Sequence, residues 1–178
     1  MTSIRSIKGT QDILPDQSHR WQALEATIRN TMDRYGYEEI RTPAFERTEL
    51  FARGVGEETD IVSKEMYSWT DQGGENLTLK PELTAPVARA YIQHNMGGQS
   101  PTNKLYYIDA LFRRERPQKG RYRQFHQFGV EAFGSEHPEI DAEVIALAMA
   151  VFNGIGLSGL SLKLNSCLLY TSPSPRDS

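Results

Sequence analysis

The sequence predicts an α+β fold in which an antiparallel β-sheet is flanked by helices, and three observations carry that prediction. Two runs rich in aromatic and aliphatic residues, KLYYIDALF from Lys104 and QFHQFGVEAFG ending at Gly134, face each other across a cationic break. Apolar residues recur at steps of three and four from about Asp16 to Tyr35 and again from His137 to Ile155. Between these helical stretches lie two shorter runs, EMYSWTD and NLTLKPELT, joined by the turn-forming DQGGEN. Alternation at period two marks strands, recurrence near 3.6 marks helices, and strands that neighbour strands through short turns pair antiparallel.

Taken in order, IKGTQDILP (Ile7 to Pro15) carries a Gly-Thr turn and a proline that keep it irregular. The first helix then presents Trp21, Leu24, Ile28, Met32 and Tyr35 on one face and ends at Gly36, a pattern that reads as core. Tyr37, Glu39 and Arg41 alternate with Glu38, Ile40 and Thr42, a strand that Pro43 stops or pushes to an edge. Gly54 to Lys64 is an acidic, glycine-punctuated loop; its GxG lacks the strand-turn-helix setting of a nucleotide fingerprint. A helix with Leu83, Val87 and Tyr91 on one face begins after Pro81, putting Glu82 and Thr84 at its N-terminus, where capping alone would explain them. The helix after His137 shows Ile140, Val144, Leu147, Ala148 and Val151 on one side, and Leu160 to Asn165 alternates as a last strand.

The bounds are those of a soluble globular domain or part of one: 178 residues, 38% hydrophobic and 24% charged. A net charge of −3 excludes a chain that binds nucleic acid by bulk electrostatics, so any RNA contact would be local. No signal-peptide run or membrane-length apolar stretch is present, which implies a cytoplasmic protein and no membrane partner. Cys167 stands alone, so no intramolecular disulfide or zinc site is expected. His19, His94, His126 and His137 are scattered without a nucleophile partner, and none is given a catalytic role.

The chemistry concentrates in Lys104 to Gly134. The tip of the predicted hairpin carries Arg113, Arg114, Arg116, Lys119, Arg121 and Arg123 against one acid, Glu115: six cations in eleven residues. Cations held this close repel one another, and a polyphosphate such as that of a nucleoside triphosphate relieves the repulsion through charge-assisted bonds. A solvated basic turn is the plainer reading of such a run, but polar residues return directly behind it. Gln127, Gly129 and Glu131 share one strand face while Phe128 and Val130 take the other. A polar floor on a sheet needs something to satisfy it, and a polar ligand beside the cationic tip would do so.

FRRE at Phe112 to Glu115, the basic loop and the returning strand resemble motif 2 of the class II aminoacyl-tRNA synthetases; RRERPQKGRYRQFHQ resembles the histidyl-tRNA synthetases in particular. IKGTQDILP resembles their N-terminal signature, and the helix and strand reaching Pro43 resemble motif 1, which builds the family's homodimer. The likeness runs from about Ile7 to Asn165. It implies ATP-dependent activation of L-histidine to histidyl-adenylate with Mg2+, then transfer to tRNA(His). It also implies site roles: Arg113 as the catalytic residue on the α-phosphate, Glu115 facing the adenine amino group, Arg121 at the terminal phosphates and Phe125 stacked on the adenine. Glu82 and Thr84 would hold the α-amino group of histidine, Gln127 and Glu131 would line its pocket, and Pro43 would lie at the dimer interface.

Two rivals share this pattern. A synthetase-like regulatory subunit of ATP phosphoribosyltransferase would bind histidine without charging tRNA, and the intact set Arg113, Glu115, Arg121, Gln127 and Glu131 argues against it. A class II synthetase for another amino acid is opposed by Glu131, since an acid suits an imidazole donor. The last twelve residues, CLLYTSPSPRDS, shift abruptly to Ser and Pro and look like the translation of a sequencing-library adapter rather than a linker. Residues 1–166 are therefore expected to be the N-terminal part of a catalytic domain, with 167–178 a non-native tail. Without a third motif or an anticodon-binding domain, that fragment is expected not to charge tRNA by itself.

Overall fold

Long alternating runs separated by one cationic loop fold as expected into a two-stranded ribbon, and the helices close over both of its faces. The computed structural model describes residues 3–55, 65–116 and 118–164. Its elements are α1 (Pro15–Tyr35), β1 (Glu38–Glu39), β2 (Phe45–Arg47), α2 (Thr48–Val55), β3 (Ser68–Thr70) and β4 (Asn76–Leu79). They continue with α3 (Thr84–Gln93), the short α4 (Met96–Gln99), β5 (Asn103–Phe112), β6 (Gln124–Phe133) and α5 (Pro138–Gly154). Two three-stranded sheets result, ordered β1-β5-β6 and β2-β4-β3. All pairings are antiparallel except that of β1, which runs parallel to β5 with Glu38 beside Leu105.

The β5–β6 ladder is unbroken from Asn103 opposite Phe133 to Phe112 opposite Gln124. Directly opposed residues share a face, so Tyr106, Ile108, Phe128 and Val130 point one way. There they meet Ile28 and Met32 of α1 and Leu147 and Val151 of α5, together with Tyr37. The opposite face carries Leu105, Tyr107 and Leu111, which pack with Leu83 and Val87 of α3, Phe125 and Phe133. The ring of Tyr91 stacks on Phe133 at 4.4 Å. Lys80 joins the two sheets: its amide donates to the Ala44 carbonyl at 3.0 Å, and its carbonyl accepts from the Phe112 amide at 3.0 Å.

The helix limits follow local chemistry. α1 has Pro15 in its first turn, where a missing N–H costs nothing, and ends where Gly36 adopts φ 73°, with its amide and that of Tyr37 closing on Asp33 and Met32.

Two expectations are corrected. The strand foreseen over Tyr37 to Thr42 shrinks to Glu38–Glu39, because beyond Ile40, whose amide donates to Tyr106, the chain turns away from β5 toward the second sheet. Residues 160–164 form no strand, and Leu160, Leu162 and Leu164 are 43%, 54% and 72% exposed. Alternation makes a strand only when a neighbour takes up its ladder, and none does so among the described residues. Asn165, the tail from Cys167 to Ser178, Pro117 and residues 56–64 of the acidic loop lie outside the described residues.

Candidate functional site

The polar floor sits on the α3 side of the ribbon. Register sets Leu105 opposite Glu131, Tyr107 opposite Gly129, Asp109 opposite Gln127 and Leu111 opposite Phe125. His126 falls on the other face, as expected, with its ring against Trp21 at 4.7 Å.

Pro81 ends the segment after β4, so Glu82 and Leu83 lead into α3, whose first residue is Thr84, beside the floor. Leu83 is buried beneath it, which holds the two polar neighbours at the rim. The Thr84 hydroxyl donates to Glu131 Oε1 at 2.8 Å. Both carboxylate oxygens of Glu82 accept from the Ala85 amide, at 3.1 and 3.2 Å, so this side chain does cap the helix as its position suggested. Capping does not use up its charge. Burial pushes the Glu82 carboxyl above its usual range; the Ala85 and Thr84 amides pull it back, Glu131 pushes it up again, and Arg113 lowers it. Two acids and one arginine therefore share a small space, an arrangement that suits a cationic or N–H-rich ligand.

Arg113 leaves β5 at the first residue of the loop and is held on two sides. Its Nε donates to the Pro81 carbonyl at 2.9 Å, and its guanidinium lies 5.2 Å from the centre of the Phe125 ring. The loop base is tied down by backbone bonds. The Arg113 amide donates to the Arg123 carbonyl at 2.9 Å, the Arg123 amide to the Gly9 carbonyl at 2.7 Å, and the Arg114 amide to the Glu65 carbonyl at 2.6 Å. Thus the irregular segment around Gly9 braces the cationic hairpin. Arg114, Arg116, Lys119 and Arg121 are exposed on this loop. Arg121 Nη1 comes within 3.4 Å of Glu115 Oε2 but without hydrogen-bond geometry, so that buried oxygen has no hydrogen-bond partner among the described residues. An orphaned buried acceptor is costly unless a donor arrives.

Of the residues singled out in the sequence, Glu82, Thr84, Glu131 and Arg113 converge, with Gln127 on the same face and Phe125 beneath Arg113. Glu115 and Arg121 pair with each other farther along the loop. Pro43 is exposed in the single chain. Two participants escaped the sequence. Tyr107, buried at 4%, reaches Glu131 Oε1 with its hydroxyl at 3.4 Å. Lys80, with its side chain only 2% exposed, donates to Asp109 and to the Thr42 carbonyl. Period two could have put Tyr107 on the floor, but only the strand register aims it at Glu131.

Comparison with known proteins gives a consistent answer. A family model described as histidyl-tRNA synthetase matches residues 9–172. A histidine–tRNA ligase of Desulforudis audaxviator is 60% identical over 159 residues, covering 89% of this chain and 38% of the relative. The chain thus spans 38% of the length of this and other curated relatives. The solved apo histidyl-tRNA synthetase of S. aureus superposes with a TM-score of 0.74 at 45% identity, over 88% of this chain and 36% of that one. A Bacillus halodurans C protein named as an ATP phosphoribosyltransferase regulatory subunit/histidyl-tRNA synthetase has a TM-score of 0.75 at 28% identity, over 89% and 40%.

Proposed function

Because this chain belongs to the histidyl-tRNA synthetase family, we propose that it is the part of a histidine–tRNA ligase that binds ATP and histidine. The whole protein would join L-histidine to ATP as histidyl-adenylate and pass the histidyl group to tRNA(His). The observation that carries this reading is the meeting of Glu82, Thr84 and Glu131 beside Arg113.

In the first half-reaction a carboxylate oxygen of histidine attacks the α-phosphorus of ATP, and pyrophosphate leaves. Little proton transfer is needed, so positioning and charge stabilisation supply the acceleration. Glu82 and Thr84 would receive the α-amino group, and Gln127 and Glu131 would line the pocket, with Glu131 accepting the imidazole N–H. Arg113, with only its Nε committed to Pro81 among the described residues, would meet the α-phosphate with its terminal nitrogens. Arg121 is exposed and would reach the terminal phosphates. The unpartnered Glu115 oxygen suits the adenine amino group, and an adenine stacked on Phe125 would share that ring with Arg113. Magnesium, which travels with ATP, meets no group of three or more His, Cys, Asp or Glu side chains among the described residues.

The partners follow from this reading: tRNA(His), and a second copy of the chain across the surface around Pro43. No helix among the described residues is long and apolar enough to cross a membrane, and a cytoplasmic setting fits a protein that charges tRNA. The regulatory-subunit alternative is less favoured, since the relative at 60% identity is a ligase while the neighbour that bears the subunit's name stands at 28%. The test is Glu131→Gln in the complete protein. It should weaken histidine about tenfold or more while ATP binding holds, because a site built to bond a polar group loses heavily when its partner changes. Equal weakening of both ligands would overturn the assignment.

A further inference from the structure

We propose that Tyr107 is the residue that orients Glu131 for recognition of the histidine side chain, by fixing one carboxylate oxygen so that the other is presented to the ligand. The inference rests on the reading of Glu131 as the acceptor of the imidazole N–H.

Two hydroxyls converge on a single atom. Thr84 Oγ1 and Tyr107 Oη both donate to Glu131 Oε1, at 2.8 and 3.4 Å, and no protein donor to Oε2 is seen among the described residues. A carboxylate gripped through one oxygen has lost its main rotational freedom, and its second oxygen becomes a directed acceptor. The phenol reaches this position because residue 129, directly opposite Tyr107 in the ladder, is glycine. A Cβ there would fall 2.4 Å from Tyr107 Oη and 2.6 Å from Cζ. Any other residue at 129 would drive the ring away from Glu131. Burial, and then the charge of Glu131, push the phenol up to about 12, so the hydroxyl stays a donor throughout the neutral range. Tyr107 is thus a positioning residue, acting through Glu131 rather than on the reacting atoms.

The experiment measures steady-state kinetics of the complete protein with Tyr107→Phe, Glu131→Gln and the double variant. Thienylalanine, which lacks ring N–H donors, serves as a competing ligand. Tyr107→Phe should raise the KM for histidine about three- to tenfold, the range of one hydrogen bond, and leave the KM for ATP unchanged. It should also narrow the preference for histidine over thienylalanine, which a purely structural role would not do. In the Glu131→Gln background the same change should add nothing. If Glu131→Gln spares histidine, the site reading falls and this inference with it. If Glu131→Gln weakens histidine while Tyr107→Phe leaves KM and preference untouched, or costs the same in both backgrounds, only the role of Tyr107 is overturned. Should Tyr107→Phe lower the melting midpoint, Gly129→Ala supplies a second reading, since it keeps the phenol but displaces it: loss of the same histidine preference supports the proposal, and an intact preference refutes it.

Discussion

The two faces of the β5–β6 ribbon are built from the same twenty residues, yet they have been given opposite tasks. Toward α1 and α5 the middle of the face is apolar: Tyr106, Ile108, Phe128 and Val130 pack with Ile28, Met32, Leu147 and Val151, the last four between 0% and 2% exposed. Toward α3 apolar residues form the ends, while the middle is occupied by Tyr107, Asp109, Gln127, Gly129 and Glu131. One face is closed by hydrophobic contact. The other keeps polar groups in its middle, where Glu131 is held through one oxygen by Thr84 and Tyr107 among the described residues. What the contrast teaches is that period-two alternation lets one ribbon anchor the fold and display chemistry without either compromising the other.

The sharpest way to break that division is to change each face separately. The largest effect should come from the site side. Arg113→Ala in the complete protein removes a charge that the reading puts on the α-phosphate, and losing one such preorganised group costs about 10² to 10³ in rate. Stability should fall by only about 1–2 kcal/mol, since among the described residues the side chain makes one hydrogen bond, to Pro81, lies against Phe125 and lowers Glu82 by its charge. Histidine-dependent pyrophosphate exchange measures the first and thermal unfolding the second. An undiminished exchange rate would remove Arg113 from the chemistry.

The mirror experiment is Leu147→Ala on α5. Leu147 is 2% exposed in the cluster behind the ribbon, and deleting its buried methyl groups should cost about 3 kcal/mol of stability through lost transfer energy and the cavity left behind. Exchange activity per folded molecule should be unchanged. A selective loss of histidine or ATP affinity in this variant would show that the two faces are coupled rather than independent.

Much of this division was legible in the sequence, and its limits are physical. The faces of α1, α3 and α5 and the alternation of β5 and β6 are local patterns, each readable from spacing within one element. The cationic loop and the polar set Gln127, Gly129 and Glu131 could be read for the same reason. Tyr107 could not, because its role depends on which residue of β6 stands opposite, and a ladder of this length fits several registers until the turn and the packing choose one. Lys80 escaped because its partners, Asp109 and the Thr42 carbonyl, lie 29 and 38 residues away in sequence. The failed strand at Leu160 to Leu164 is the converse case: its alternation is real, but a ladder is a property of two segments, and spacing in one reports nothing about the other.

The smallest expected effect sharpens the comparison most, because it asks whether the site face is held against the preference of the fold. Burial raises the Glu82 carboxyl from its ordinary value of 4.5, with Glu131 adding to the rise and the Ala85 and Thr84 amides and Arg113 opposing it. A carboxyl that holds its proton more tightly when folded favours folding fully below its unfolded value, and that favour is lost as pH rises through the folded value. Above the window the buried carboxylate weighs against the native state. Glu82→Gln keeps an oxygen for the Ala85 amide and removes the charge. The variant should therefore melt slightly higher than its parent at about pH 7, by less than about 1 kcal/mol, a change that disturbs no packing. The two should coincide at about pH 3, well below the ordinary carboxyl value, where Glu82 is protonated in both states. On the proposed role of Glu82 as partner of the ammonium group, the same substitution should also weaken histidine. Paired melting curves at the two pH values and a histidine titration decide the matter. A variant less stable at neutral pH would mean that the cap outweighs the burial, and Glu82 would then belong to the scaffold rather than to the site.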